Sequence, residues 1–511
     1  MATKTTTAKK KPAAKAAKPT KAAKPAKAEK EINVLFAIFE ALPFMKTGGL
    51  GDVGGSMPFE LKKAGVNVRV IMPKFDTIPE EYKSRMTHVA DFNVPLGWRN
   101  QYCGIEKLMY RGMVFYFVDN EYYFRRGAPY GFFDDGERIA FFSKAVVEAI
   151  NHLPNFKCDI LHCNDWHTAL APVFLREFYR GEKIWTDVKT VLTVHNMKFQ
   201  GKYSDYVLGD ILGLSGIKAA EDQLRCSGGA VNYLRGGLSY TDAITMVSPT
   251  YADEVKNPFF GEELEDVLCR RQNILRGIRN GIDNTNYNPA GDKALKDKFT
   301  ADDKSGKAAC KRKLQKELGL AEEPDVPIIS VVSRLTSQKG CDLITRVFDE
   351  IMGLGAQVII LGTGDKKYED AFKGFAYKYG ENFRLLLKFD EMQSHRIYAG
   401  SDILLMPSVF EPCGLSQMIA MTYGTLPVVR ETGGLKDTVT PYNKFTGEGN
   451  GFSFAHINAH EMLFTLKDAV ALYRENKEAW GKLVDAAMRE DFTWDGPSKE
   501  YKKLYEELLG R

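Results

Sequence analysis

Two cations lie five residues apart at the end of one predicted strand. Arg334 and Lys339 follow the apolar run 328–332, where the chain passes from strand to helix. A guanidinium offers a planar fork of hydrogen-bond donors and an ammonium offers a mobile point charge, and both bind more tightly as negative charge grows on a leaving phosphate. The pair therefore favours a diphosphate site, and the alternative is an exposed basic turn.

Two polar turns follow the next predicted strands of the same half. Residues 407–415 read PSVFEPCGL and contain Glu411, whose carboxylate could hold the hydroxyls of a sugar ring. The turn at 432–434 opens a helix, and its free backbone N–H groups would form a second anion site facing Arg334 and Lys339. Cys413 is either a reactive thiol or a small packing residue, and we favour packing.

A glycine-rich turn follows the first predicted strand. Residues 46–55 read KTGGLGDVGG, and Gly49, Gly51 and Gly54 have the spacing of the dinucleotide fingerprint GxGxxG. That fingerprint requires its first glycine directly after the strand, whereas about ten residues intervene here, so a hydride-transfer enzyme remains a distant alternative. The glycines still let the backbone approach a ligand, and Lys46 could neutralise a phosphate. The alternative is a structural turn with a solvated lysine.

Histidines and an acid lie at two further strand ends. Asp165 and His167 follow the apolar run 160–162, and His195 and Asn196 end the next run. The histidine spacing is not that of a helical His-x-x-x-His pair, and no third ligand is apparent, so we expect no metal site. His195 and Asn196 stand at the carboxyl end of a strand, where they could hold sugar hydroxyls.

Short apolar runs between helical patterns define the elements that position these groups. They lie at residues 32–39, 66–72, 114–118, 160–162, 190–194 and 243–247, then at 328–332, 356–361, 383–387, 403–406 and 426–429. Such runs, spaced by crossover helices, predict buried parallel strands whose ligand lies at their carboxyl ends. We therefore predict an α/β protein with two doubly wound, Rossmann-like domains facing a cleft. The first covers residues 31–278, the second 279–490, and a last helix lies in 491–511.

The composition excludes several classes of protein. Of 511 residues, 44 % are apolar and 27 % are charged, and no run is long enough to span a membrane. Residues 1–30 hold ten lysines and one acid, so they carry 10 − 1 = +9, and the net +4 leaves 4 − 9 = −5 for the remainder. The body is therefore not expected to bind nucleic acid. Eight cysteines are too sparse for a disulfide scaffold and indicate reduced thiols in the cytoplasm.

Residues 1–30 form a tail built almost wholly from Ala, Lys, Thr and Pro. They lack the apolar mass that would offset the entropy of ordering, so we predict a disordered tail. A solvated tether is the favoured interpretation, and a polyanion contact or an organelle address would be the less favoured ones. The tail has no Arg, no Ser and no apolar segment, which argues against an address.

Taken in order, five motifs closely resemble those of the bacterial glycogen synthase and plant starch synthase family. They are KTGGLGDV (46–53), NDWH (164–167), Arg334 with Lys339, FEPCGL (410–415) and TGGL (432–435). The resemblance extends over nearly all of the chain from residue 32 onward. It implies the two-domain GT-B fold, with a C-terminal helix that crosses back onto the first domain. It also implies transfer of glucose from ADP-glucose to the non-reducing end of an α-1,4-glucan, glycogen or starch, with retention at the anomeric carbon.

The resemblance implies a role for each matching residue. The implied catalytic residues, which meet the leaving phosphates, the glucose hydroxyls or the reacting centre, are Glu411, Arg334, Lys339, Asp165 and His195. The implied donor-binding residues are Lys46, Gly48, Gly49, Asp52, Asn196, Phe389, Cys413, Gly414, Thr432, Gly433 and Gly434. We expect no cofactor and no metal, because the chain has no Asp-x-Asp pair of the kind that holds a metal on a nucleotide sugar.

Two positions depart from the pattern of relatives. Ile419 stands where many members of the wider GT-B class carry a second glutamate, and Phe389 stands where relatives often place a tyrosine beside the base. Stacking survives the second change but a hydroxyl does not, so UDP-glucose remains an alternative donor. Three further functions stay open for the chain: a glucan phosphorylase that uses pyridoxal phosphate, a non-catalytic glucan-binding homologue, and a polyanion binder acting through the tail.

Overall fold

The computed structural model describes residues 1–9 and 31–511 of the chain. Residues 1–9 are exposed and contain neither helix nor strand. The predicted disordered tail falls mainly on residues 10–30, which lie outside the described residues. Residues Ile32–Arg511 form one compact unit.

The first half of this unit is built on a nine-stranded sheet and a three-stranded sheet. Its strands are β1 Asn33–Ala37, β2 Asn67–Pro73, β3 Thr87–Leu96, β4 Arg99–Tyr110, β5 Met113–Asp119, β6 Ile160–Asn164, β7 Lys189–Val194, β8 Lys202–Ser204, β9 Arg225–Cys226, β10 Ala230–Asn232, β11 Ala243–Met246 and β12 Leu275–Gly277. The large sheet has the order β12-β11-β7-β6-β1-β2-β5-β4-β3, and the small sheet has the order β8-β10-β9. From β12 to β5 all neighbours in the large sheet are parallel.

Helices connect the strands of the first half. They are α1 Gly49–Lys63, α2 Glu80–Lys83, α3 Glu121–Phe124, α4 Asp135–Ala149, α5 Leu170–Phe178, α6 Lys183–Thr186, α7 Val207–Asp210, α8 Lys218–Leu224, α9 Tyr233–Tyr240, α10 Pro249–Glu254, α11 Pro258–Gly261 and α12 Glu265–Arg270. Single 3₁₀ turns lie at Ser227–Gly229 and Gln272–Ile274. The six apolar runs predicted in this half coincide with β1, β2, β5, β6, β7 and β11.

The pair β3 and β4 was not among the predicted strands. These two long strands are antiparallel to each other, and β4 is antiparallel to β5 at the edge of the sheet. Most residues of β3 are at least partly exposed, so the strand has no continuous apolar run. An edge strand with one solvated face needs apolar residues only at alternate positions, which explains why a pattern of buried runs does not reveal it.

The second half is built on one six-stranded sheet in which every pair is parallel. Its strands are β13 Ile328–Val332, β14 Gln357–Leu361, β15 Phe383–Leu386, β16 Ile403–Met406, β17 Leu426–Arg430 and β18 Phe452–Phe454, in the spatial order β15-β14-β13-β16-β17-β18. All five predicted runs of this half are strands. The strands β14, β16 and β17 are buried along their whole length, as expected for a parallel sheet covered on both faces.

The helices of the second half lie between these strands and after them. They are α13 Ser305–Glu317, α14 Cys341–Arg346, α15 Phe348–Gly353, α16 Lys366–Lys378, α17 Glu391–Gly400, α18 Ser416–Thr422, α19 Gly433–Thr438, α20 Ala459–Glu475, α21 Lys477–Arg489 and α22 Asp495–Leu508. A 3₁₀ turn at Ser337–Lys339 precedes α14.

The last helix, α22, leaves the second sheet and packs against α1 of the first half. Its residues Tyr501 and Tyr505, with Trp494 just before it, belong to the hydrophobic core of the first half. The hydroxyl of Tyr505 forms a hydrogen bond of 2.7 Å with Nδ1 of His162, which lies in β6. The predicted fold class, two Rossmann-like domains with a C-terminal helix that crosses back, is confirmed. The boundaries at residues 278 and 490 stay predictions.

Candidate active site

Lys46 lies in the loop between β1 and α1 and faces the second half of the molecule. Its Nζ is 2.7 Å from Oδ1 of Asp52 and 3.6 Å from Oε1 of Glu391. Glu391 begins α17, so this contact joins the two halves. Burial raises the pKa of Asp52, although the ammonium of Lys46 acts in the opposite direction. The sequence predicted Lys46 and Asp52 as donor-binding residues but did not predict the role of Glu391.

The loop that carries Lys46 is held by a buried carboxylate. Glu40 accepts hydrogen bonds from the backbone N–H of Thr47 at 2.5 Å, from the Thr47 hydroxyl at 2.8 Å and from Tyr130 Oη at 2.6 Å. The next residue, Gly48, has open space on its side-chain face, since a Cβ there would meet no atom within 4 Å. A Cβ on Gly49 would lie 3.7 Å from Leu415 of the second half. The turn therefore offers bare backbone at the place where the two halves meet.

Lys339 and Glu411 form an ion pair at the ends of β13 and β16. Both side chains are largely shielded from solvent, and Glu411 is only 6 % exposed. Ser408 Oγ donates a hydrogen bond of 3.0 Å to the same carboxylate oxygen. Arg334, by contrast, is exposed, and its side chain makes no hydrogen bond or ion pair with residues 1–9 or 31–511. The two predicted cations thus share one strand end, but only Lys339 already has an acidic partner.

Asp165 and His195 meet at the ends of β6 and β7. Asp165 has the left-handed backbone angle φ of 58°, and its Oδ1 accepts the backbone N–H of His195 at 2.6 Å. Burial raises the pKa of Asp165 to about 7, with the N–H bonds from His195 and Asn196 acting in the opposite direction. A non-glycine residue in this region is held there by its surroundings, and such positions are enriched at functional sites.

His195 is held as a neutral imidazole. Its Nε2 lies 3.0 Å from Oδ1 of Asn164, whose amide Nδ2 donates to the carbonyl of Ala37 and so fixes the orientation of the amide. The imidazole therefore donates through Nε2–H, and burial lowers the pKa of His195 to about 3. The neighbouring Asn196 uses its Oδ1 to accept the N–H of Lys198 at 3.0 Å.

The turn at 432–434 differs from the prediction. Its N–H groups were expected to be free for a donor phosphate, but Gly433 N–H donates to both oxygens of Glu254 at 3.1 Å, and Gly434 N–H donates to the carbonyls of Glu411 and Pro412 at 3.2 Å. The hydroxyl of Thr432 also donates to Glu254, at 2.9 Å. The Thr432 hydroxyl and the Gly433 and Gly434 N–H groups are thus bonded within the protein, and the bonds of Thr432 and Gly433 join its two halves. The phosphate-binding role of Thr432, Gly433 and Gly434 stays a prediction, and a donor phosphate would have to exchange with these partners.

Glu254 belongs to a group of three side chains on α10 and its N-cap that contact the second half. Ser248 Oγ donates to the carbonyl of Pro412 at 2.7 Å, and Thr250 donates to Asp437 through its N–H at 3.0 Å and its hydroxyl at 2.6 Å. Burial raises the pKa of Glu254, and the bonds from residues 432 and 433 oppose the shift. Sequence reasoning missed these residues. The segment SPTYADE (248–254) predicts a capped helix, but it does not indicate that the helix contacts the second half.

Three further predicted residues lie on the second half. Cys413 is buried, and burial raises the pKa of its thiol to about 12, which supports packing over reactivity. Gly414 has φ of 71°, a conformation that side chains disfavour. Phe389 is 78 % exposed just before α17, and its ring stacks on no other ring of the described residues. An exposed ring beside Glu391 is available to a flat ligand.

Two kinds of feature are absent from the described part of the chain. Within residues 1–9 and 31–511, no group of three or more His, Cys, Asp or Glu side chains is arranged to hold a metal ion. Over the same residues, no helix is both long and apolar enough to cross a membrane.

Two family models match the chain, one in each half. The model for the starch synthase catalytic domain matches residues 33–270, and the model for group 1 glycosyl transferases matches residues 312–482. The matched segments contain the Lys46 loop and Asp165 in the first case, and Arg334, Lys339 and Glu411 in the second.

Relatives and solved structures extend the similarity to almost the full chain. A glycogen synthase of Desulfitobacterium hafniense is 48 % identical over 477 residues, which are 93 % of this chain and 99 % of that protein. A glycogen synthase of Bacillus cereus is 50 % identical over 478 residues, 94 % of this chain and 100 % of that protein. The catalytic domain of starch synthase IV from Arabidopsis thaliana, solved with ADP and acarbose, has a TM-score of 0.87 at 33 % identity and covers 94 % of this chain and 100 % of that one.

Proposed function

Because this chain belongs to the glycogen synthase and starch synthase family of glycosyltransferases, we propose that it transfers glucose from ADP-glucose to the non-reducing end of an α-1,4-glucan, with retention of the anomeric configuration. The observation that carries the proposal is the Lys339–Glu411 pair at the strand ends of the six-stranded sheet. Lys46 of the first half lies close to Glu391 of the second half. Cations for a diphosphate and a carboxylate for sugar hydroxyls are what a nucleotide sugar requires.

Arg334 and Lys339 would stabilise the charge that develops on the leaving diphosphate. The unpaired guanidinium of Arg334 can bind a phosphate without breaking a contact to the described residues. Lys339 would exchange the Glu411 carboxylate for a phosphate oxygen when the donor arrives. That exchange frees an oxygen of Glu411 for a glucose hydroxyl, while Ser408 keeps the carboxylate in place. Lys46, at the glycine-rich turn, would add a third cation to the diphosphate.

Retention needs no nucleophilic residue in this scheme. The acceptor hydroxyl would attack on the face that the diphosphate leaves, and the leaving phosphate would take the proton of that hydroxyl. His195, which is neutral and donates through Nε2 to Asn164, would orient the sugar, and Asp165 would lie near the reacting centre. Closing the cleft around the donor would exclude the water that otherwise hydrolyses it.

Three further features of the reaction are proposed: that it needs no metal, that it takes place in the cytoplasm, and that a glucan is the acceptor. We propose that no metal and no cofactor takes part, because the three cations already supply the positive charge that a diphosphate leaving group requires. We also propose that the protein acts in the cytoplasm, since all eight cysteines are free thiols. Glycogen or starch would be the acceptor.

Transfer of labelled glucose to glycogen tests the proposal. ADP-glucose and UDP-glucose are compared as donors, without added metal and with a chelator present. We expect strong incorporation from ADP-glucose alone. A preference for UDP-glucose would overturn the base assignment around Phe389 and leave the chemistry in place. Incorporation from neither donor would favour a non-catalytic glucan-binding protein, and a requirement for metal would contradict the role given to the cations.

A further inference from the structure

A cavity of about 400 Å³ opens on the second half of the molecule, between α13, α17 and the loop that precedes α13. Its floor is apolar, because Leu295 and Leu314 are buried there with Cys310 beside them. The cavity contains none of the residues of the candidate active site. Its volume lies within the range of small-molecule sites, which hold an apolar body and fix it with a few polar groups.

The rim of the cavity is strongly basic. Four cations and one acid line it: Lys296, Lys313, Lys316, Arg396 and Glu317. Lys296 and Lys316 are exposed, and their side chains make no hydrogen bond or ion pair with residues 1–9 or 31–511. These two ammonium groups are therefore not neutralised by the described part of the protein.

The other two cations of the rim already have partners. Lys313 pairs with Asp297, and Arg396 Nη1 lies 3.1 Å from Oε1 of Glu317. Arg396 also donates through Nε to the carbonyl of Ala294, at 3.4 Å. These contacts tie the loop and both helices together at the rim.

The loop that forms one wall is anchored from below. Asp292 accepts a hydrogen bond from the N–H of Ala294 at 2.7 Å, lies 2.7 Å from His395 Nδ1 and accepts the hydroxyl of Tyr423. His395 is on α17, so this buried carboxylate fixes the loop to the opposite wall. The cavity is thus set by the fold and does not depend on a ligand for its shape.

We propose that this cavity binds a small organic phosphate: a phosphate monoester with an apolar body the size of one or two rings. The body would pack on Leu295 and Leu314, and the phosphate would bind Lys296 and Lys316. The two unpaired cations favour a doubly charged anion such as a phosphate monoester over a singly charged one, and the apolar floor favours an organic ester over inorganic phosphate. The cavity is open to solvent on one side, and its volume of about 400 Å³ suits a body of one or two rings.

Calorimetric titration with 1-naphthyl phosphate tests the site, with inorganic phosphate as the second probe. Three variants are compared with the wild-type chain. The cavity variant is Lys296→Glu with Lys316→Glu, and the charge-matched control is Lys366→Glu with Lys467→Glu, two exposed lysines of the same half. The third variant, Arg334→Ala, reports on binding in the active-site cleft.

We expect 1-naphthyl phosphate to bind the wild type and the control alike, and to bind the cavity variant about tenfold more weakly or worse, since two charge-assisted contacts are reversed. Inorganic phosphate should bind the wild type about tenfold more weakly than the aryl ester, because it leaves the apolar floor uncovered. Equal loss in the control, loss only in Arg334→Ala, or equal binding of the two probes would each overturn the proposal. Lys296 and Lys316 make no hydrogen bond or ion pair that stabilises the described part of the protein. The melting temperature and glucose transfer should therefore stay unchanged in the cavity variant.

Discussion

The two sides of the active-site cleft hold their polar groups in different ways. We call the side formed by the first half of the molecule the first wall, and the side formed by the second half the second wall. On the first wall, Asp165 and His195 are bonded to neighbouring groups, and burial moves both pKa values, to about 7 and about 3. On the second wall, Arg334 has no partner among the described residues, and Lys339 is paired with Glu411. The first wall is therefore fixed by its own hydrogen bonds, and under the proposed function the second wall would offer its charge to the ligand.

The largest loss of activity is expected at Glu411, the residue of the second wall that would bind the glucose hydroxyls. Glu411→Ala should lower kcat by about 10³-fold, because it removes the carboxylate for the glucose hydroxyls and leaves Lys339 without its acidic partner. Steady-state transfer from ADP-glucose measures the change, and Glu381→Ala, an exposed acid of the same half, is the control. Activity like that of the wild type would remove Glu411 from the site.

The cations of the second wall come next. Arg334→Ala and Lys339→Ala should each cost about 3 kcal/mol of transition-state stabilisation, roughly 10²-fold in kcat/KM, since each would act where charge develops on the leaving phosphate. The matched control is Arg346→Ala, an exposed arginine that also lacks an ion pair within the described chain. If that control lost as much activity, the effect would be one of general charge and not of position.

Asp165 of the first wall should make the stability of the protein depend on pH. The pKa of Asp165 is about 7 in the folded protein against an ordinary value of 3.8. Between pH 3.8 and pH 7 the folded protein therefore binds one proton more than the unfolded chain. Stability should therefore fall as pH rises from about 4 to about 7. Asp165→Asn keeps the acceptor for the His195 N–H and should lack this fall. Denaturant midpoints from pH 4 to 8 test it, with exposed Asp187→Asn as control, and parallel curves for wild type and Asp165→Asn would be contrary to the prediction.

The contact between the walls can be measured by a double-mutant cycle. Glu254→Ala and Thr432→Val remove the two ends of one hydrogen bond, so their effects on the free energy of unfolding should fall short of additivity by about 1–2 kcal/mol. Thr438→Val at the end of α19, which does not contact Glu254, provides the uncoupled comparison. Strict additivity of Glu254→Ala with Thr432→Val would show that the two residues do not interact in solution.

The smallest effect concerns the tail. Removal of residues 1–30 should leave kcat and KM within about twofold of their original values, because both walls are built from residues beyond 30. Glucose transfer at low and at moderate salt measures this, and binding to heparin on a column shows whether the lysines meet polyanions. A severe loss of transfer would assign the tail a part in the reaction.

The strands and the polar turns at their ends could be predicted because both are local properties of the chain. Buried parallel strands need continuous apolar runs, and the motifs around Lys46, Arg334 and Glu411 follow such runs directly or within one loop. The edge strand β3 and its neighbour β4 lack that pattern and were missed. Contacts between residues distant in sequence were also missed, such as Glu254 with Gly433, because no local signal states which carboxylate will occupy a helix end.

The return of α22 to the first half affects how the protein folds during synthesis. Trp494, Tyr501 and Tyr505 complete the core around β6, yet the ribosome makes them after every strand of all three sheets. The domain that is translated first therefore closes its core last, after the second domain has emerged. Until then the pocket for Tyr505 beside His162 is open, so a nascent chain stalled before α22 exposes apolar surface that chaperones can bind.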